Sequence, residues 1–517
     1  MAAPQSCDYL IVGGGAAGCV LANRLSADAS LRVVLLEAGG EDSDPRIGST
    51  GGFVELWGSE LDWAFSTAEQ PGLGGRRMVI NQGKVLGGSS SINALMYVRG
   101  NRRNYDEWAA QGNTGWSWEE VLPYFRRSED YEGGESEYHG VGGLLTVRAC
   151  PDPRARSEHY LGAAVELGFD GPDWDYNGAR QEDGAGPLQF NITADNRRVS
   201  AASAFLQPVL HRPNLEVQTG AHATRILFDG KRAAGVEFTR DGQTERVLCD
   251  GEVILCAGAF LSPKLLLLSG IGPAAELRQH AIPVRADLPG VGCNLQDHLQ
   301  MPVIYRTRSA LPMPTLLTGN VLFVRTSGVS SDGPPDLQLN FIPSRPAPLA
   351  RAIPDFGAPI CVFLPILVQP RSMGHVSLRS ADPEDAPLID PHYLESASDV
   401  RVLSEALELI RRIAATRAFS GLGDGELVPG PGAQVEGFVR SSALTLWHPA
   451  GTCRMGTDAE AVVDPQLRVR GVEGLRVADA SVMPAVTSGN TYAPCLMIAE
   501  KAAEMVLRPA TARRSLA

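Results

Sequence analysis

The sequence predicts an α/β fold, and three observations carry that prediction. The chain opens with the order strand, glycine turn, helix, strand in "DYLIVGGGAAGCVLANRLSADASLRVVLLE". A second stretch, "VILCAGAFLSPKLLLLSGIGP" at 253–273, again runs from a buried strand through small residues into a helix. The chain of 517 residues is 44% hydrophobic, enough for two or three packed units, and its 56 glycines and 36 prolines fall inside patterned segments.

In the opening unit, Tyr9 to Val12 is a short apolar run of β character. Gly13, Gly15 and Gly18 then match G-x-G-x-x-G. The first glycine permits the tight turn, the second lets backbone approach a pyrophosphate, and the third lets helix and strand pack closely. The helix expected from about Ala16 to Leu25 presents the N-terminal amides of Ala16 and Ala17 and its positive dipole end to that pyrophosphate. "RVVLLE" is the next strand and ends in Glu37, 19 residues after Gly18, followed by Ala38. A carboxylate there accepts hydrogen bonds from a ribose diol, which favours FAD or NAD over NADP.

"GKVLGGSSSINALMYVRGN", 83–101, places Gly87, Gly88 and Ser89 to Ser91 in succession. Such a loop can press backbone against a planar ring or a phosphate, or be an ordinary turn; Lys84 precedes the paired glycines, so it is no Walker loop. In the stretch 253–273, Ser262 and Pro263 read as cap and first residue of a helix that Gly270, Gly272 and Pro273 stop. "LPGVGCNLQDH", 288–298, is a glycine–proline turn. "DLQLNFIPS" and "ICVFLPILVQP" read as strands, "GHVSLRSADP" as a strand into a turn, and "SDVRVLSEALELIRRIAATRAF" as a helix capped by Ser398 or Asp399.

A formal net charge of -13 argues against a nucleic-acid footprint. Nine cysteines, an odd number with no C-x-x-C pair, fit reduced thiols better than a disulfide framework. "MAAPQSC" runs into the first strand with no visible secretory signal, and the most apolar run is broken by Pro263 and Lys264, so neither secretion nor a membrane span is expected and a cytoplasmic protein is. In "LTLWHPAGTCRMG", 444–456, one histidine, His448, sits between Trp447 and Pro449. It can fill core, hold a metal or move a proton. The remaining histidines are scattered with no H-x-H or H-E-x-x-H, so no metal is expected.

Five ordered motifs decide among these readings: "GGGAAG", the stretches 83–100 and 258–273, "HPAGTCRMG", and "GLRVADASVMPAVTSGNTYAP". Together, from Tyr9 to Val506, the chain resembles the glucose–methanol–choline (GMC) oxidoreductases, flavoenzymes that oxidise alcohols. The resemblance implies FAD and two domains. One is a Rossmann-like FAD domain of the p-hydroxybenzoate hydroxylase type, over 1–155, 205–305 and 440–517. The other is a substrate domain with an antiparallel sheet and flanking helices, over 156–204 and 306–439. It implies His448 as the base near the reactive edge of the flavin and Asn490, where relatives carry histidine or asparagine, as its partner. It further implies flavin contacts from Gly87, Gly88, Ser89, Asn93, Ala94, Leu95, Met96, Ala257, Gly258, Asp479, Ala480, Asn490 and Thr491. Ala223 stands where relatives contact the adenine through valine backbone. Some relatives bind FAD covalently through a histidine in the "GGSSS" region; Ile92 stands there, so a dissociable FAD is expected.

The implied reaction takes a primary alcohol to an aldehyde by hydride transfer to flavin, with dioxygen or another electron acceptor regenerating the cofactor. Trp447, Phe341 and Tyr492 are the expected pocket walls and suit an aromatic or apolar alcohol. A choline-type alcohol would need a cage and a carboxylate. A flavin lyase and a fatty acid photodecarboxylase are the alternatives on the same fold. Nucleic acid is not an expected partner, and self-association is left open.

Overall fold

The computed structural model describes residues 6–312, 314–345 and 353–507. The outer ends of the expected first domain, 1–5 and 508–517, lie outside the described residues. The fold is α/β and is organised on two large sheets.

The first sheet has seven strands. Ser6–Val12 lies at its centre, parallel to Val33–Leu36 on one side and to the second half of Gln243–Leu255 on the other. Leu215–Gln218 extends it beyond Val33–Leu36, and Leu475–Val477 pairs in parallel with Val253 to Leu255. Parallel strands carry helices on their faces and therefore read as unbroken apolar runs; all four residues of Val33–Leu36 are buried. The first half of Gln243–Leu255 pairs instead with Arg232–Arg240, which pairs with His222–Asp229, an antiparallel extension. Helix Ala16–Leu25 covers the sheet and is itself covered by helix Tyr492–Leu507.

The helix in the stretch 253–273 spans Gly258–Leu268, so Ser262 and Pro263 lie inside it and not at its start. Tertiary contacts override the local start signal. Asp479 accepts from the amide of Gly258 at 2.9 Å and from the Ser262 hydroxyl at 2.6 Å, which anchors the true first turn. Proline cannot donate to the carbonyl four residues back; the freed carbonyl of Ala259 takes the hydroxyl of Thr452 at 2.6 Å. The helix read from "SDVRVLSEALELIRRIAATRAF" spans Ala397–Ala414, with Ser396 and not Ser398 or Asp399 at the cap position, and its last residues fall in a separate short helix, Arg417–Ser420, capped by Thr416. Asp399 is buried and accepts from the amides of Arg371 and Ser372 at 2.8 and 2.9 Å.

The second sheet runs in the spatial order Gly423–Val428, Val303–Thr307, Ile360–Leu367, Leu337–Ile342, Asn320–Val324, Gly184–Pro187, with every pair antiparallel. One face buries Leu339, Phe341 and Phe363 with Leu403, Leu407 and Ile410 of helix Ala397–Ala414. The other face turns Asn340, Ile342, Val362 and Leu364 toward a cavity. No helix among the described residues is long and apolar enough to cross a membrane, and all nine cysteines are free thiols.

Candidate active site

The cavity has a volume of about 910 Å³ and takes walls from both sheets, at the large end of the range for ligand sites. Gly13, Gly15, Ala16, Ala17, Glu37, Ala38, Gly88, Ser89, Asn93, Ala94, Leu95, Met96, Ala223, Ala257, Gly258, Trp447, His448, Asp479, Ala480, Asn490, Thr491 and Tyr492 all line it. Gly18, Gly87 and Phe341 do not.

The glycines are placed by backbone geometry. Gly13 has φ +105°, and a Cβ there would lie 2.5 Å from the carbonyl oxygen of Cys256. A Cβ on Gly18 would lie 1.9 Å from the carbonyl oxygen of Gly13, so its role is the close helix–strand contact beneath the turn. Gly15 occupies the cap position of helix Ala16–Leu25 and has no side chain to cap it. The first-turn amides are thus left for a ligand, which suits an anion. Glu37 accepts one amide on each carboxylate oxygen, Gly14 and Gly39, both at 2.7 Å. Each oxygen retains a lone pair for a ribose hydroxyl. Burial pushes this carboxyl up to about 7, with the two amides working against the shift.

The serine-rich loop is shaped by its own hydroxyls. Ser90 and Ser91 donate to the carbonyls of Gly87 and Leu86 at 2.6 and 2.7 Å, and Ser89 donates to Gln82. Gly87 has φ +88° and donates its amide to Gly14 at 2.7 Å, tying the loop to the first glycine turn. Arg198, a residue the motifs did not single out, anchors the loop from behind. Its guanidinium donates to the Asn93 side chain at 2.7 Å and to the carbonyls of Ser90 and Ile47. Asp479 spends both oxygens within the protein, on Gly258, Ser262 and Ser481, and so caps two turns at the cavity wall.

At the other end, "NLQDHLQ" and "LTLWHPA" run side by side. Leu299 pairs with Thr445, Gln300 with Leu444, and Gln296 with Ala450. This places His298 beside His448, with their Nδ1 atoms 3.0 Å apart. The side-chain amide of Asn490 meets His448 Nε2 at 3.2 Å. An amide nitrogen only donates, so Nε2 is the accepting nitrogen and the proton of His448 sits on Nδ1, donated to His298. In that tautomer the Nε2 lone pair is met by the Asn490 amide, and both side chains line the cavity. Asp297 secures the same loop by accepting from the His448 amide at 2.8 Å and from the hydroxyls of Thr445 and Tyr393. Burial raises the Asp297 carboxyl to about 6 and lowers His448 to about 3, so the imidazole is held neutral. Asn490 Oδ1 is buried with no hydrogen-bond partner.

Trp447, at φ +62°, stands against Trp57 with ring centroids 4.5 Å apart. Phe341 lies in the core of the second sheet, stacked on Tyr160 at 5.0 Å. Side chains alternate along a strand, so its neighbours Asn340 and Ile342 face the cavity in its place. Alternation over "LQLNF" was a sequence signal that Phe341 and Asn340 take opposite faces, and what covers each face decided the rest. His298, Asp297 and Arg198 had no such signal, because each acts across a large sequence separation.

The arrangement offers a helix end whose first-turn amides have no side-chain cap, a buried carboxylate and, among the same cavity walls, a neutral imidazole with an amide beside it. The GMC oxidoreductase family models match residues 7–300 and 370–499. The alcohol dehydrogenase [acceptor] of Pseudomonas putida is 41% identical, over 97% of this chain and 96% of that protein. Human mitochondrial choline dehydrogenase is 39% identical, over 96% of this chain and 89% of its own length. The crystal structure of pyridoxine 4-oxidase from Mesorbium loti superposes with a TM-score of 0.90 at 35% identity, over 96% of this chain and 98% of that one.

Proposed function

This chain belongs to the GMC oxidoreductase family, FAD-dependent enzymes acting on CH–OH groups, and from that premise we propose that it oxidises a neutral, apolar primary alcohol to the aldehyde with His448 as the base. The observation that carries the reading is the neutral His448 with its Nε2 lone pair directed at the Asn490 amide.

Oxidation of a primary alcohol removes the hydroxyl proton and a hydride from the adjacent carbon. FAD, when bound, supplies the hydride acceptor. In the proposed arrangement the alcohol oxygen enters between Asn490 and His448. The amide donates to the oxygen, and Nε2 takes the hydroxyl proton. The imidazolium that forms keeps its Nδ1–H on His298. The helix end at Ala16 and Ala17, the Glu37 carboxylate and Ala223 would hold the dinucleotide portion of FAD. Gly88, Ser89 and Asn93 to Met96, joined by Ala257, Gly258, Asp479, Ala480 and Thr491, would hold its ring system and the chain attached to it. On this reading the first sheet and its loops form the FAD domain and the second sheet the substrate domain.

The substrate wall is Leu317, Ile342, Val362 and Leu364, with the amides of Gln300 and Asn340. Among the described residues, the acidic side chains lining the cavity are Glu37, Glu55 and Asp479. Glu37 and Asp479 are engaged by backbone at the nucleotide end and Glu55 is exposed. A quaternary ammonium group would therefore be buried without a counter-charge, which is costly. The test is a panel of neutral aliphatic and aromatic primary alcohols with choline, following reduction first of dioxygen and then of an artificial acceptor. Turnover of the neutral alcohols in the dark supports the proposal; preferential turnover of choline, or turnover of none, overturns it.

Two expectations follow. Asn490→Ala should slow flavin reduction less than loss of His448, by about tenfold, since it removes one orienting hydrogen bond of about 0.5–1.5 kcal/mol and leaves the base. Asn490→His should retain activity. Both are read by anaerobic stopped-flow. We further propose a non-covalent FAD. Ile92 is buried where covalent relatives carry histidine, so acid precipitation should release all the flavin into the supernatant, and yellow colour in the pellet would refute this.

A further inference from the structure

Outside the lining of the cavity, two histidines and an aspartate converge. The hairpin of His375–Ser377 and Leu388–Asp390 pairs His375 directly opposite Asp390. The turn that follows carries His392 back over them. One donor atom from each of His375, Asp390 and His392 lies within 4.8 Å of the others. Sixteen residues lie between the histidines, so no histidine pair at metal-ligand spacing is visible in the sequence.

We propose that His375, Asp390 and His392 form a binding site for a first-row transition-metal ion, zinc being the best match, that completes its coordination with water. The first support is distance. Tetrahedral donors about 2.0–2.1 Å from zinc lie roughly 3.4 Å from one another, and His392 Nε2 is 3.5 Å from Asp390 Oδ2. The second is orientation. His392 Nδ1 is 3.0 Å from the carbonyl oxygen of Met373, to which it donates. This places the ring's lone pair on Nε2, toward Asp390. A carbonyl holding the far nitrogen is the outer-shell arrangement that metal-ligating histidines use. Asp390 is oriented in the same way: its other oxygen accepts from Gln70 Nε2 at 2.9 Å, leaving Oδ2 for the ion. The third is backbone. His392 holds φ +54°, uncommon for a residue other than glycine, and this conformation returns its ring to the hairpin. Two imidazoles and one carboxylate select zinc, copper, nickel or cobalt over magnesium and calcium, which prefer all-oxygen shells. The site is half-open, with His375 exposed and Asp390 and His392 partly buried, so an ion can enter from solvent.

The test uses tag-free, chelator-stripped holoenzyme titrated with zinc chloride by calorimetry. Cobalt chloride is followed in parallel by d–d absorption beyond the flavin bands. One equivalent should bind saturably. His375→Ala and His392→Asn should each weaken it at least tenfold, with unchanged FAD content and alcohol turnover as the check on folding. His375 is exposed, so its truncation removes a ligand and no core. Cys293 is the exposed cysteine and a competing soft ligand. Loss of binding in Cys293→Ser with retention in His375→Ala would overturn the assignment, as would failure of the parent protein to bind a saturable equivalent.

Discussion

His448→Ala is expected to reduce flavin roughly 10²- to 10⁴-fold more slowly than the parent protein, the usual worth of a positioned general base. The measurement is anaerobic stopped-flow with a saturating primary alcohol, following bleaching of the flavin. FAD content should be unchanged, because the groups proposed to hold the dinucleotide sit at the opposite end of the cavity. The pH dependence has a definite sign. Burial depresses His448 to about 3, so the ring is protonated only below that value and is in its base form above it. Its titration should therefore impose no loss of rate between pH 9 and about pH 5. Reduction at the parent's rate in the alanine variant would reassign the imidazole to packing between Trp447 and His298, and the base would lie elsewhere.

Glu37→Ala is expected to weaken FAD binding about 10²- to 10⁴-fold, read by titrating apoprotein with FAD under limiting conditions. Two charge-assisted hydrogen bonds to the ribose, at about 1.5–3 kcal/mol each, set that scale. The structure adds a second contribution. The same carboxylate accepts the amides of Gly14 and Gly39, so its loss also releases the glycine turn and the backbone at Gly39, two residues further on. Glu37→Gln, which keeps the volume and one acceptor, should fall between the two. Equal flavin occupancy in parent and alanine variant at limiting FAD would show that the carboxylate serves the turn and not the ribose.

These two residues differ in how far they could be read from sequence. Glu37 belongs to a unit in which strand, turn, helix and strand are contiguous, so its spacing from Gly18 already carries its position. His448 needed the resemblance, and its chemistry needed the structure. The neighbour that sets its tautomer, His298, is 150 residues away and reads in isolation as part of a glycine–proline turn. Ser262 and Pro263 show the opposite failure: a clear local signal for a helix start was outvoted by Asp479 and Thr452, which stabilise an earlier first turn.

The amino-acid sequence by itself determined the α/β class, the glycine turn and its acidic partner, and the order of the motifs along the chain. Each of these acts through backbone conformation over a few tens of residues, and backbone preferences are written locally. Tertiary structure alone decided that Phe341 is core while Asn340 and Ile342 face the cavity, that His298 meets His448, and that His375, Asp390 and His392 converge. The physical reason is common to all three. A strand's two faces are equivalent until something covers one of them, and a polar side chain acquires its protonation state and its partners only from what the fold packs around it.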